Sequence, residues 1–180
     1  HKHRPFAMVS EKARMNSVTF MSPSKAFNMP GLTASHALIF NPKLRRKFHA
    51  YLESCELDLG HVFAFLAIEA AYTHGTEWLD QCLAYIQGNI DYVDEFLKLH
   101  TPKIKAIRPQ ASFLVWLDCR EMGLAQDALN DFFVDKAHLA LNNGVAFGEE
   151  GEGFMRLNVA SPRSVLEKAM KQLADAYAAL

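Results

Sequence analysis

The chain has 180 residues, half of them hydrophobic, and a net charge of -1. That is apolar enough for a real core, and the balanced charge lacks the basic stripe of a nucleic-acid binder. No stretch reaches the run of about 18 apolar residues that spans a bilayer, and Cys55, Cys82 and Cys119 are too scattered for a zinc or disulfide framework.

The opening, HKHRPFAMVSEKARMNSVTF, starts on His1 and reads as the middle of a domain. A truncated or processed chain is therefore expected. No signal-peptide pattern opens it, and a reducing, cytoplasmic setting is the simplest reading. Ser17–Met21 is short, β-branched and apolar, which predicts a buried strand. The next stretch, SPSKAFNMPGLTAS, is rich in Ser, Pro, Gly and Asn and reads as a loop. A second short strand is expected at Ala37–Phe40.

Asn41 then caps a helix, with Pro42 at its first position, where a missing N–H costs nothing. Val62–Tyr72 is apolar nearly all round and predicts a buried helix. Thr76 is read as the cap of a long helix whose apolar residues Leu79, Leu83, Ile86, Ile90, Val93 and Leu97 recur at three- and four-residue steps.

Beyond Pro102 the pattern turns to α+β. Lys103–Ile107 is a weak strand and Ala111–Leu117 a strong one. Gln126–Lys136 is a helix, Asn142–Gly153 a Gly-rich loop holding at most a short strand, and Phe154–Val159 a strand. Ser161 and Pro162 start the last helix, with Leu166, Ala169, Leu173, Ala176 and Leu180 on its buried face. Two units follow from this reading. Residues 1–87 are the remnant of a larger domain with the start of the interdomain helix, and 88–180 form a small α+β domain.

Lys25 stands out chemically. It lies in a Ser/Pro loop just after a predicted strand, where α/β proteins place ligands. A lysine that attacks an aldehyde needs its neutral amine, and burial beside a cofactor favours that form. Ser22 and Ser24 offer hydroxyl donors of the kind a phosphate wants. Taken alone, a lysine in such a loop is usually just solvated.

The segment SPSKAFNMPGL resembles the Schiff-base segment of the MalY/PatB branch of fold-type-I pyridoxal-phosphate (PLP) enzymes, which are cystathionine β-lyase-like and related to class I/II aminotransferases. HKHRPF, EAAYTHGTEWLDQCLAYIQGN, SFLVWLDCR and FGEEGEGFMRLNVASPR resemble further segments of the same family in the same order. The resemblance implies an α/β large domain truncated at its N-terminus and an α+β C-terminal domain. It implies that Lys25 holds PLP and later shuttles the α-proton, with Ser22, and more weakly Ser24, at the phosphate. Arg156 then pairs with the substrate's α-carboxylate, a task suited to a planar fork. Asn28 and Gly31 match the shape of the loop. Classical aspartate-type aminotransferases carry an arginine eight residues after the lysine, and Thr33 stands there, which favours the MalY-like branch.

The activity so implied is C–S β-lysis of an amino-acid substrate, with amino-acid transamination as the alternative, in a homodimer without nucleic-acid or membrane partners. For the chain by itself a further alternative is an inactive folded fragment, because family members place other cofactor contacts upstream of the segment that HKHRPF resembles. No metal is expected: His1 and His3 form an HxH pair, but spacing supplies no third ligand. His61 and His74 read as capping or surface residues, Trp78 and Trp116 as core or interface packing. GEEGEG lacks the strand–GxGxxG–helix context of a dinucleotide site, and Glu149, Glu150 and Glu152 read as a solvated turn.

Overall fold

A computed structural model describes residues 3–180. His1, and with it the HxH pair, lies outside the described residues. The chain divides into two compact units, His1–Gln81 and Cys82–Leu180.

The first unit opens on a short helix, α1 (Glu11–Met15), with Ser10 accepting the Ala13 N–H at 3.1 Å as its cap. The sequence reading did not anticipate it. Strands β1 (Thr19–Met21) and β2 (His36–Leu38) pair antiparallel, with Thr19 opposite Leu38 and Met21 opposite His36. Helix α2 (Pro42–Ser54) begins as expected: the Asn41 side chain accepts the N–H groups of Lys43 and Leu44, and Pro42 takes the first turn. Helix α3 (Val62–His74) forms where predicted. It is not buried, however: Val62 and Phe63 are 62% and 63% exposed, and only Ala64 is buried. A helix apolar on every side needs neighbours on every side, and the described residues of this unit cover little of it.

Helix α4 (Thr76–His100) starts at the end of the first unit and continues into the second. Its first backbone bond runs from the Leu79 N–H to the Gly75 carbonyl, so Gly75 rather than Thr76 stands in the cap position.

In the second unit, β3 (Lys105–Ile107), β4 (Leu114–Asp118), β5 (Asn142–Asn143) and β6 (Phe154–Asn158) form an antiparallel sheet in the order β3-β4-β6-β5. Helix α5 (Gln126–Asp131) runs on through a π-helical turn at Phe132–Lys136. Helix α6 (Arg163–Ala178) closes the chain. Pro162 occupies its cap position without a side-chain bond, so Ser161 does not cap it. Leu166 and Leu173 are buried as expected, Met170 joins them, and Leu180 is 71% exposed because it lies past the helix end.

The alternation along β4 and β6 sorts their residues between two faces. Val115, Leu117, Met155 and Leu157 point into a core shared with Ile90, Val93 and Leu97 of α4, with Leu129, Phe132 and Phe133, and with Leu166, Met170 and Leu173 of α6. Asn89, fully buried, ties α4 to the start of α6. It donates to the carbonyls of Val159 and Ser161 at 2.8 and 3.0 Å and accepts from Arg163 Nε at 2.9 Å. Among the described residues no helix is long and apolar enough to cross a membrane.

Candidate active site

In the first unit the loop between β1 and β2 carries Lys25. Backbone bonds from Phe27 N to Pro23 O and from Met29 N to Ser24 O, both 2.9 Å, wind the chain into a tight turn around the lysine. Asn28 and Thr33 adopt left-handed backbone angles, φ 50° and 45°. The turn is anchored by Phe27, which stacks on Trp78 at 6.2 Å and meets Tyr72 edge-on at 5.9 Å. Gly75 makes room for that ring, since a Cβ there would come within 2.5 Å of it and of the Ala71 carbonyl. Trp78, read as packing from the sequence, therefore braces the Lys25 loop.

Lys25 is exposed at the crest of this turn, and Pro23 is buried beneath it. The Ser22 hydroxyl donates to the Ala34 carbonyl at 2.6 Å and accepts the Ser24 N–H at 3.2 Å, with Ser24 Oγ 2.9 Å away. Ser22 thus closes the base of the loop, and the two hydroxyls lie within hydrogen-bond distance of each other. An exposed amine beside two clustered hydroxyls is a donor set suited to an aldehyde bearing a phosphate. These residues fit PLP.

In the second unit, Arg156 lies on the face of the sheet turned away from the core. The register sets it opposite Trp116 of β4 and Asn142 of β5. Nη2 donates to Asn142 Oδ1 at 2.8 Å, and Cζ stands 4.5 Å over the Phe147 ring. Its Nε is buried and without an acceptor. Among the described residues no carboxylate pairs with Arg156, so it does not make the ordinary surface ion pair.

The same face carries a second guanidinium with the opposite treatment. Arg120 lies 4.8 Å over Phe154 and is held by both oxygens of Asp118, at 2.9 and 2.7 Å. The hydrogen bonds from Arg120 lead the causes that hold the Asp118 carboxyl below its ordinary range. Between the two arginines, Trp116 stacks on Phe154 and meets Phe147 edge-on, each at 5.6 Å. Sequence reasoning missed Asn142 and Phe147 and read Trp116 as packing. The alternation of β4 and β6 could have set Trp116 beside Arg156, but a two-residue strand inside a Gly-rich loop carries no pattern of its own.

The loop from Asn142 to Gly153 is rigid at its base. Gln126 donates to Asn143 Oδ1 at 2.7 Å and accepts the Gly153 N–H at 2.6 Å. Gly144 and Gly151 pack backbone to backbone, so a Cβ on either would strike the other's carbonyl. Glu149–Gly151 form the exposed turn expected of the three glutamates, with only Gly151 buried.

Residues 3–173 match the model of the aminotransferase class I and II family. The chain is 40% identical to cystathionine beta-lyase PatB of Bacillus subtilis over 96% of its length, and 34% identical to protein MalY of Escherichia coli over 98%. It spans about half the length of these curated relatives, 45% and 46%. Cystalysin from Treponema denticola, whose crystal structure contains pyridoxal 5'-phosphate, superposes with a TM-score of 0.90 at 31% identity, covering 98% of this chain and 45% of that one. The expected fold-type-I architecture is the one shared with that enzyme, and the chain belongs to the aminotransferase class I and II family.

Proposed function

We propose that this chain supplies the lysine-bearing and carboxylate-binding part of a PLP-dependent C–S β-lyase that turns a cystathionine- or cysteine-type amino acid into pyruvate, ammonia and a thiol. The single observation that carries this reading is the 40% identity to a cystathionine beta-lyase across nearly the whole chain. Bound PLP withdraws electrons from the substrate's Cα and so acidifies its C–H bond. Lys25 would hold the cofactor at its aldehyde carbon, and its amine, when free, would serve as general base toward the substrate's Cα proton. Ser24 donates to the phosphate, and Ser22, hydrogen-bonded to Ala34, sets the shape of the cup. Arg156 receives the α-carboxylate on a fork that no acid neutralises.

The enzyme is read as a homodimer, a reading supported by the exposed apolar surface of α3.

Two measurements test the reading. Borohydride reduction of the complete PLP-loaded enzyme is expected to leave the cofactor's pyridoxyl group on Lys25, read by peptide mass; labelling elsewhere overturns the assignment. Cystathionine given without a keto-acid acceptor is expected to yield pyruvate and thiol. Strict dependence on an added acceptor would instead make the enzyme an aminotransferase.

A further inference from the structure

We infer that Asn142 is a positioning residue that aims Arg156 at the substrate's carboxylate without neutralising it. The inference rests on the reading of Arg156 just given and adds the group that sets its geometry. Two guanidiniums share one sheet face and one run of aromatic rings, and their partners differ. Arg120 meets a carboxylate at two points, which neutralises it. Arg156 meets an amide oxygen at one point, which fixes its direction and leaves its charge unspent.

The remaining surroundings of Arg156 restrict it further. Phe147 covers one flat face of the guanidinium at 4.5 Å. Nε is buried, so a ligand reaches the outer end of the fork, formed by Nη1 and the second N–H of Nη2. A long side chain held ready in this way loses less rotamer freedom when it binds.

Asn142 can hold a direction because its own backbone is fixed. It sits directly opposite Arg156 in β5, and its neighbour Asn143 is bound by Gln126. The two asparagines of β5 therefore divide the work, Asn143 fastening the loop and Asn142 aiming the arginine. Aspartate would be the isosteric alternative at position 142. It would pair with Arg156 and compete with the incoming carboxylate.

The test uses the complete PLP-loaded enzyme and two oxyamines that differ in a carboxylate, aminooxyacetate and methoxyamine. In Asn142→Ala, affinity for aminooxyacetate and 1/KM for the amino-acid substrate are expected to fall about tenfold, the size of one charge-assisted hydrogen bond. kcat and methoxyamine affinity are expected to stay within about twofold, as an interaction made equally in ground and transition state requires. Asn142→Asp keeps the shape of the side chain and is expected to lose more than Asn142→Ala on the same two carboxylate readouts. The Nε–H resonance of Arg156 is a readout independent of turnover, sharp in the parent and broadened by solvent exchange in Asn142→Ala.

If Arg156→Ala weakens aminooxyacetate while both Asn142 variants bind it like the parent, the inference fails and the role of Arg156 stands. If Arg156→Ala itself leaves aminooxyacetate binding unchanged, the carboxylate-site reading fails first. Equal loss for both oxyamines in Asn142→Asp would reduce Asn142 to a merely structural part and overturn the inference.

Discussion

The two units bury very different things. The second closes a core of large side chains, with Val115, Leu117, Phe133, Met155 and Leu173 fully shielded between sheet and helices. The buried hydrophobic residues of the first unit are, apart from Ile39, alanines: Ala7, Ala13, Ala34 and Ala64. Its large apolar side chains, Phe20, Phe63, Phe65 and Leu66 among them, stand in the open. Yet the first unit carries Lys25, the lysine proposed to hold the cofactor, on a loop stiffened by local bonds rather than by a core. The buried core and the proposed covalent chemistry thus fall on different stretches of sequence, and each is expected to be perturbed without the other.

Substitution of the lysine tests that separation at its extreme. On the proposed reading, Lys25→Ala in the complete enzyme is expected to lower kcat by roughly a thousandfold or more, because the covalent anchor and the proton carrier would be lost together. The melting temperature of the unliganded chain should stay within about 1 °C, since an exposed side chain with no partner among the described residues contributes little. A clear drop in melting temperature would show that the loop supports the fold and would blur the contrast.

Core substitutions turn the contrast round. Leu117→Ala is expected to destabilise the chain by about 3 kcal/mol, the usual size for a buried leucine. Asn89→Ala is expected to cost about 2 kcal/mol, because the Val159 and Ser161 carbonyls and the Arg163 Nε–H lose their partner inside the protein. Phe63→Ala, on the exposed face of α3, should change stability by less than about 0.5 kcal/mol. Urea titrations of the three variants measure all of this, and a Phe63 effect as large as that of Leu117 would break the comparison.

These magnitudes also explain what could be read from the sequence. The strands and helices of the second unit were legible because their alternation and helical spacing agree with what the core buries: Val115 and Leu117 on one side of β4, and Ile90, Val93 and Leu97 along α4. The start of α2 was legible for a local reason, as Asn41 and Pro42 cap a helix wherever one begins. The exposure of α3 was not, because composition reports what a segment would bury rather than what lies against it. Lys25 was a weak candidate from its Ser/Pro loop, and the resemblance raised it and supplied the role of Arg156, a lysine or arginine being ordinary by itself. Asn142, Phe147, and the packing of Phe27 over Gly75 depend on contacts set by tertiary structure, which leave no period in the chain.

Acid should weaken the second unit as the carboxyls of its ion pairs are protonated. Asp94 is nearly buried, and burial pushes its carboxyl up. The hydrogen bonds and charges of Lys98 and Arg108 together outweigh burial and hold it below the ordinary range. A carboxyl lowered by folding adds stability above its unfolded value of about 3.9 and loses it as the pH falls through the lowered native value. Asp91, bonded by the same Arg108, is lowered too. Asp94→Asn is therefore expected to lower stability at pH 7 and to flatten the decline below about pH 4. An unchanged acid limb in the variant would mean that other carboxyls govern it.

The smallest perturbation is chemical labelling of the three thiols, which probes the two units without mutation. Cys55 is exposed in the first unit, Cys82 half-buried at the boundary, and Cys119 buried in the core of the second. Burial, helped by the charge of Asp118, pushes the Cys119 thiol up to about 12. At pH 8 only about one such thiol in ten thousand is the reactive thiolate, and the side chain is shielded as well. Cys55 should therefore react with a disulfide reagent without unfolding, and Cys119 only through opening of the core. The Cys119 rate in rising urea should track the global unfolding of the second unit, while the Cys55 rate stays nearly flat. If Cys119 labels as readily as Cys55 in native buffer, the second unit opens locally near β4, and the division between a stable scaffold and a locally braced Lys25 loop no longer holds.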